Sequence, residues 1–275
     1  MTKISGSIVL YNNDREELNT VIQCFLKSNN SGQLYLIDNS LDDSLKSIIM
    51  DPRVVYIKTA TNIGFGAAHN IAFDRIINSE STYHVIINPD IIFEKKVLTN
   101  LSEYLEKDDK IGMIMPKIVY PNGSLQRLAK MIPSPWYYFV RRFILFSNLK
   151  NWLSRNIELH HYDYTYTIEA PFLSGCFLMF RNSVLQEIKG FDERIFLYFE
   201  DNDICRKILN KGYKTVLYPS ESVIHNHTKK SFFSVRNLKI YFNSGIYYFN
   251  KWGWFFDKDR SRINQKVMDF IGSKK

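Results

Sequence analysis

The sequence predicts an α/β fold in which a mostly parallel, Rossmann-like central sheet carries helices on both faces. Two observations lead to this class. Short apolar segments typical of buried strands alternate, over the first 115 residues, with segments whose apolar residues recur at helical spacing. Each apolar segment also ends in polar residues, as expected for parallel strands that are covered on both faces. Ligands of such sheets bind at the carboxyl ends of the strands.

The first half of the chain supplies five of the predicted strands. They cover residues 4–10, 34–37, 54–57, 83–87 and 111–115. Asp14 is placed to cap the helix that follows the first strand, and further helical patterns follow the third and fourth strands. This alternation of strand and helix is the basis of the predicted parallel sheet.

The second half is less regular. Residues 120–124 are typical of a hairpin turn, and the segment 133–156 is predicted to form one or two short helices. Residues 172–180 predict one continuous apolar strand, and Gly175 inside it suits the close approach of a ligand or another backbone. Beyond it follow an acidic helix, a strand at 215–217, an Ile-His-Asn-His segment at 224–227 and a basic C-terminal segment.

The composition is that of an ordinary globular protein, with 275 residues of which 45% are hydrophobic and 23% charged. Its three cysteines lie far apart without a CxxC pair, which argues against a disulfide framework or a zinc site and favours a reducing cytosol. The sequence shows neither a leader pattern nor an apolar run of 18 residues. We therefore expect neither a signal peptide nor a membrane span.

The net charge of +8 is concentrated in two segments. Residues 127–157 hold six basic and no acidic residues, and residues 229–275 hold eleven basic against three acidic residues. Both are rich in aromatic residues, which suits contact with membrane headgroups or with a nucleic acid. The alternative is that the aromatic side chains pack in the core while the basic ones form a solvated face.

Polar residues directly after the predicted strands converge on one edge of the sheet. Such residues often form turns or caps, but five of them on one edge favour a nucleotide site. These five are Tyr11, Asp38, Asn39, Asn62 and Asp90. Gly64 and Gly66 precede a helix without matching the GxGxxG dinucleotide pattern, so a tight turn is expected there.

Residues 196–203 place three acids directly after an aromatic run. On a helix that begins near Phe199, Glu200 and Asp203 share one face. Repulsion between the carboxylates and an apolar surrounding would both raise a carboxyl pKa, as a general base requires. The alternative is a solvent-exposed acidic first turn, favoured by the helix dipole.

Six stretches in the same order resemble glycosyltransferase family 2, whose members have a GT-A fold, and within it the bacterial rhamnosyltransferase-like members. The resemblance covers about residues 4–231, and the ordered set is specific where each stretch alone is weak. The stretches are V-L-Y-N at 9–12, I-D-N-S at 37–40, N-I-G-F-G-A-A-H-N at 62–70, N-P-D at 88–90, S-G-C-F-L-M at 174–179, and G-F-D-E at 190–193 through F-E-D-N-D at 199–203.

The resemblance implies roles for individual residues. The nucleotide-sugar donor would be held by Tyr11, Asn12, Asp38, Asn39, Asn62, Gly64, Phe65, Asn70, Asn88 and Lys229. The family's DxD motif appears as Asn88-Pro89-Asp90, so Asp90 alone would reach the metal ion, Mg²⁺ or Mn²⁺. His225 is the second expected metal ligand, with His227 as its competitor. The general base corresponds to Asp201, and Glu200 and Asp203 would orient the base and the acceptor.

The resemblance thus implies an inverting, metal-dependent glycosyltransferase that moves rhamnose from dTDP-rhamnose to a growing, lipid-linked cell-surface glycan. We expect a GT-A domain over 1–231, with a basic aromatic insertion at about 127–157, and a helical basic aromatic extension over 232–275. The basic aromatic segments would dock the enzyme on the inner face of the cell membrane. No nucleic-acid partner is expected, and a homo-oligomer stays open. Two alternatives remain: an inactive family member in an assembly complex, and a nucleic-acid-binding module.

Overall fold

Within the described residues, nine strands form one mixed sheet against which the helices pack. The computed structural model describes residues 3–28, 31–77, 79–138, 154–155, 157–226 and 234–274. The strands are β1 (Lys3–Leu10), β2 (Ser31–Asp38), β3 (Val54–Lys58), β4 (Ser81–Ile87), β5 (Ile91–Ile92), β6 (Ile111–Val119), β7 (Ala129–Lys130), β8 (Ile168–Glu169), β9 (Phe172–Leu173), β10 (Phe177–Arg181) and β11 (Lys214–His225). The helices are α1 (Arg15–Leu26), α2 (Phe65–Ile76), α3 (Lys96–Glu106), α4 (Asn182–Ile188), α5 (Glu200–Asn210), α6 (Val235–Trp252) and α7 (Lys258–Gly272).

The sheet has the strand order β3-β2-β1-β4-β10-β6-β11-β5, with β8 paired to β11. Strands β3, β2, β1 and β4 are parallel neighbours, as are β6 and β11. Strand β10 runs antiparallel between β4 and β6 and joins the two parallel parts. The predicted α/β class is therefore confirmed, and the carboxyl ends of β1, β2 and β4 meet at one edge.

The first strand and helix form for the reasons that the sequence indicates. Ile4, Ile8 and Leu10 of β1 are fully buried, since both faces of this central strand are covered. Asp14 caps α1, and its carboxylate accepts hydrogen bonds from the backbone N–H groups of Glu16 and Glu17. The five strands predicted in the first half, the cap and the hairpin turn at 120–124, where the Ser124 carbonyl accepts from the N–H of Tyr120, are confirmed.

Two predictions about strands are wrong. The apolar run 172–180 is not one strand, because the chain turns at 174–176 and separates β9, which pairs with β7, from β10 in the main sheet. The segments at 215–217 and 224–227 are not separate either, since β11 runs on from Lys214 to His225 through an irregularity between Tyr218 and Ser222. The helices predicted over 133–156 lie largely outside the described residues.

The described part of the C-terminal segment is helical, and two of its aromatic side chains are fully buried. Tyr248 and Phe249 of α6 pack with Ile195 and Phe199 in a small second core, which Tyr138 and Tyr241 border. Helix α7 contributes Val267 and Ile271 to the main core. Neither α6 nor any other helix within the described ranges has the length and apolarity that crossing a bilayer requires.

Candidate active site

A cleft of about 1400 Å³ opens at the carboxyl ends of β1, β2 and β4, at the edge that the sequence predicts. On one side it is bounded by residues that follow these strands, and on the other by Tyr137, Tyr138, Phe172 and Tyr241. Ten of the predicted site residues line it, namely Tyr11, Asn39, Asn62, Gly64, Phe65, Asn88, Asp90, Glu200, Asp201 and His225. The fold thus gathers most of the predicted nucleotide, metal and base residues around one cavity.

Asp38 and Asn12 support the edge of this cleft without lining it. Asp38 is fully buried, and its two carboxylate oxygens accept hydrogen bonds from the Ser40 backbone N–H at 2.8 Å and from the Tyr56 hydroxyl at 2.5 Å. The backbone N–H of Asn12 donates to the hydroxyl of Ser40. Ser40 and Tyr56 therefore occupy the carboxylate of Asp38 behind the cleft, whereas Asn12 is exposed and is fixed to Ser40 through its backbone.

Asn70 lies outside this cleft, contrary to the prediction. It borders a different cavity, and its side chain is hydrogen-bonded to the backbone of Phe191 in both directions, accepting from the N–H at 2.8 Å and donating to the carbonyl at 3.0 Å. Asn70 therefore fastens α2 to the turn that precedes the acidic helix. Lys229 and His227 lie outside the described residues.

Asp203 also differs from its predicted role. Its side chain is 0% exposed and accepts from the Lys251 ammonium at 2.7 Å and from the Trp252 indole N–H at 2.7 Å, both on α6. It does not line the cleft. The carboxylate therefore holds α6 against α5, so Asp203 can affect the base Asp201 only through the helix that both share and does not face an acceptor in the cleft.

Asp90 and His225 meet on the strand-end side of the cleft. His225 Nε2 lies 3.3 Å from Asp90 Oδ1. Strand β11 pairs with β5 directly after Asp90, and the Asn226 N–H donates to the Asp90 carbonyl, which together bring the two side chains to one point. A carboxylate oxygen and an imidazole nitrogen are ligands that Mn²⁺ and Mg²⁺ sites use.

The described residues contain no cluster of three or more His, Cys, Asp or Glu side chains suited to a metal ion. The protein would therefore supply two ligands from Asp90 and His225. A nucleoside diphosphate in the cleft can supply further oxygen ligands, so the pair fits a divalent ion that binds together with the donor.

The acidic helix α5 presents Asp201 and Glu200 to the cleft. Burial raises the pKa of Asp201, against the lowering effect of hydrogen bonds from Asn202 and from the Gly175 N–H. Burial, followed by the charge of Asp201, raises the pKa of Glu200 well above its ordinary value. Glu200 Oε2 is buried without a hydrogen-bond partner among the described residues. Two neighbouring carboxyl groups with raised pKa values are the kind of pair that shares acid and base roles.

The loop before α5 is held in an unusual backbone conformation. Tyr198 and Phe199 have φ angles of 64° and 68°, in the left-handed region that non-glycine residues rarely adopt. The Phe65 N–H donates to the Phe196 carbonyl, and a Cβ added at Gly64 would lie 2.3 Å from that same oxygen. Strained residues of this kind cluster at functional sites, and here they aim the first turn of α5 into the cleft.

One buried thiol lies between the two halves of the site. Burial raises the pKa of Cys176, and the charges of Asp90 and Asp201 raise it further. Gly175, next to it, lies against the Phe65 ring and the Asp201 side chain. A Cβ added at Gly175 would lie 3.3 Å from the nearest atom of the Phe65 ring and 3.7 Å from Asp201 Cβ. The candidate metal pair and the candidate base are therefore both close to the 174–176 turn.

The family model described as "Glycosyltransferase like family 2" matches residues 7–239, which include every residue of this cleft except Tyr241. This chain belongs to that glycosyltransferase family. The match ends within α6, so most of α6 and all of α7 lie beyond the part that the family model covers.

Similar proteins agree with the family. The N-acetylglucosaminyl-diphospho-decaprenol L-rhamnosyltransferase of Mycobacterium tuberculosis is 27% identical over 205 residues, 70% of this chain and 65% of that protein. Rhamnosyltransferase WbbL of Escherichia coli is 26% identical over 181 residues, 62% of this chain and 64% of its own length. The chain thus spans slightly less than two thirds of these relatives. The structure of GalNAc-T7 with UDP, GalNAc and Mn²⁺ superposes with a TM-score of 0.65 at 16% identity, over 91% of this chain and 48% of that one, which confirms the GT-A fold.

Sequence reasoning missed several residues of this family 2 cleft. Gln126 contacts His225, and Glu158 accepts a hydrogen bond from Tyr137 at 3.0 Å while lying 3.8 Å from Lys130. None of them belongs to a motif, and their partners are far away in sequence. Only the hairpin at 120–124 gave a signal, since it returns the chain toward the strand end where His225 lies.

Proposed function

We propose that this family 2 protein is an inverting glycosyltransferase that moves rhamnose from dTDP-rhamnose to a hydroxyl of a lipid-linked, growing cell-surface glycan. The observation that carries the proposal is one cleft that is lined by Asp201 and also by Asp90 and His225, whose side chains lie 3.3 Å apart. The named activities of the similar rhamnosyltransferases support rhamnose as the sugar.

Asp201 acts as the general base in this proposal. It takes the proton of the acceptor hydroxyl while that oxygen attacks the anomeric carbon, and the bond from this carbon to the diphosphate breaks on the opposite face. Its raised pKa suits a base that must hold the proton during transfer. Burial and the charge of Asp201 raise the pKa of Glu200 well above its ordinary value, and in its protonated form Glu200 would donate a hydrogen bond to the acceptor or the sugar.

Asp90 and His225 would hold Mg²⁺ or Mn²⁺, which supplies positive charge for the leaving nucleoside diphosphate. The nucleoside lies against Tyr11, Asn39 and Asn62 in this proposal. Asn39 is already fixed there, since its amide donates to the Gly64 carbonyl at 3.1 Å and its oxygen accepts from the Thr59 hydroxyl. Lys229, beyond the described residues, remains a proposed helper on the diphosphate.

A membrane surface supplies the acceptor in this proposal, and the protein docks on the cytoplasmic face of the cell membrane. Phe255 and Phe256 are 74% and 99% exposed in the turn between α6 and α7. Lys258 follows them in sequence, and each basic residue near an anionic leaflet contributes about 1 kcal/mol. Two exposed aromatic side chains among basic residues are the composition of a headgroup-level contact.

The test separates chemistry from binding. Asp201→Asn removes the base with little change of shape, so transfer of rhamnose should fall by at least a hundredfold, within the range of general-base contributions. Binding of dTDP-rhamnose with Mn²⁺ should persist, measured as a rise in the melting temperature close to that of the wild type. Asp259→Asn, an exposed acid on α7, is the matched control and should keep full turnover.

Turnover near the wild-type level in Asp201→Asn would remove Asp201 as the base. A melting temperature of the wild-type protein that rises equally with dTDP-rhamnose and with other nucleotide sugars would remove the proposed donor.

A further inference from the structure

Gln126 contacts His225 at two points, on its backbone and on its ring. The Gln126 amide nitrogen lies 2.8 Å from the His225 carbonyl oxygen, and the amide oxygen lies 3.0 Å from His225 Nδ1. Both residues are only 5% exposed.

The carbonyl contact decides which way the amide points. A backbone carbonyl only accepts hydrogen bonds, so the group of Gln126 that faces it must be the NH₂. The Gln126 carbonyl oxygen therefore faces the ring of His225 at Nδ1, and an oxygen there requires a proton on Nδ1. In the neutral ring the second nitrogen, Nε2, then carries the lone pair, and it is the nitrogen that lies 3.3 Å from Asp90 Oδ1.

We propose that Gln126 is a positioning residue for the metal site: it keeps the proton of His225 on Nδ1, so that Nε2 is presented with Asp90 to a divalent cation. This inference rests on the proposed function, since it assigns Asp90 and His225 to the ion. A ligating histidine commonly donates its other ring N–H to an oxygen that fixes its orientation and tautomer. A carboxylate oxygen and a lone pair that point at one place attract a cation between them.

The hairpin after β6 holds Gln126 in place. The turn at 120–124 reverses the chain, and the Gln126 N–H donates to the Ile118 carbonyl at 2.9 Å. Strand β6 is itself paired with β11, which ends at His225. Gln126 and His225 are thus fixed by neighbouring backbone, 99 residues apart in sequence. A purely structural glutamine would need only the carbonyl contact, so the ring contact is the feature that the experiment must isolate.

The test measures Mn²⁺ binding in the presence of dTDP, by the paramagnetic resonance signal of free Mn²⁺. Gln126→Met keeps the side-chain length but removes the oxygen, and it should weaken Mn²⁺ binding by about 10- to 100-fold, the usual effect of losing such a partner. Gln126→Glu keeps an oxygen for Nδ1, loses the donor to the carbonyl and adds a carboxylate charge beside the ring, so its Mn²⁺ binding should be weaker than that of the wild type by no more than about threefold.

A second readout reports the tautomer itself without metal. Nitrogen-15 spectra of the histidine rings at pH 8 should show His225 protonated on Nδ1 in the wild type and in Gln126→Glu, and mixed in Gln126→Met. The His225 signals are assigned by their absence in His225→Asn. This spectrum decides the question even where Gln126→Met folds poorly, because an Nε2 proton in the wild type would overturn the inference.

Two further variants separate the possible failures. His225→Asn and Asp90→Asn should each weaken Mn²⁺ binding, and if neither does, the metal site of the proposed function is wrong. If both weaken it while Gln126→Met binds Mn²⁺ as the wild type does, the metal site stands and the role of Gln126 is lost.

Discussion

Two buried histidines show how far a single residue type can depart from its ordinary chemistry in this protein. The Ser5 and Ser7 hydroxyls lie 2.8 Å and 2.7 Å from the two ring nitrogens of His84, and Ser7 also lies 2.7 Å from His69 Nδ1. Burial lowers the pKa of His84 to about 3 and lowers that of His69 well below 6.5. Both rings are therefore neutral in the folded protein, and neither of them lines the cleft.

The buried, neutral ring of His84 predicts that the fold loses stability in acid. Because the folded-state pKa of His84 is depressed, the unfolded state binds more protons in acid, and the stability due to the neutral ring is complete above pH 6.5 and decreases as pH falls toward 3. Between pH 7.5 and pH 5 the free energy of unfolding should fall by about 2 kcal/mol through His84. His84→Gln should flatten this dependence, measured by urea unfolding at both pH values.

The matched control is His161→Gln, at an exposed histidine, which should leave the pH dependence unchanged. Equal slopes in the wild type and in His84→Gln would show that His84 does not titrate on unfolding as proposed.

At the scale of elements, α6 decides how the first turn of α5 is held. Lys251 bridges Asp203 at 2.7 Å and Asp192 at 2.9 Å, and the Ser244 hydroxyl donates to the Leu197 carbonyl in the loop before Glu200. Phe199 packs against Tyr248 with ring centroids 5.5 Å apart. Helix α6 thus braces the strained loop that presents Asp201, even though most of it lies beyond the family match.

Removing the ion pair between Lys251 and Asp203 should lower the free energy of unfolding. Lys251→Met removes one of the two α6 partners of the buried Asp203 carboxylate and leaves only the Trp252 indole N–H. Removing one partner of a buried ion pair destabilises proteins by about 3–5 kcal/mol. We expect a loss of this size in urea unfolding. Lys266→Met, which removes an exposed pair with Glu169, is the matched control and should change stability by at most about 1 kcal/mol.

A loss in Lys251→Met no larger than that of the control would show that Asp203 does not depend on the pair. Rhamnosyl transfer measured on the same two proteins would then tell whether the loop still presents Asp201.

At the scale of the molecule, the sequence predicted the first sheet half and much of the cleft, because β1 to β4 are buried and each ends in polar residues at one edge. It did not predict the break at Gly175, since Ser174 and Cys176 lie in an apolar run that is typical of a continuous strand. The ion pair of Asp203 with Lys251 was not predicted, because the two residues are 48 positions apart. Contacts between distant segments, such as that of Gln126 with His225, leave no local pattern to read.

The aromatic residues of the C-terminal segment show the same limit, because composition did not separate those that pack from those that are exposed. Tyr248 and Phe249 are buried, whereas Phe255 and Phe256 are not. The predicted membrane contact therefore rests on this exposed pair and the basic residues near it. Leu41, which is 95% exposed outside the basic segments, offers an apolar control of similar exposure.

The double change Phe255→Ser and Phe256→Ser should reduce binding to vesicles that contain anionic lipid by at least tenfold, because burying even part of two phenyl rings contributes more than the 1.4 kcal/mol that a tenfold change requires. Vesicle flotation measures the bound fraction, which should also fall as salt rises, since the basic residues act through a screened surface potential. Leu41→Ser should float like the wild type. Flotation of the double variant that matches the wild type, or that ignores anionic lipid and salt, would show that this turn does not dock the protein.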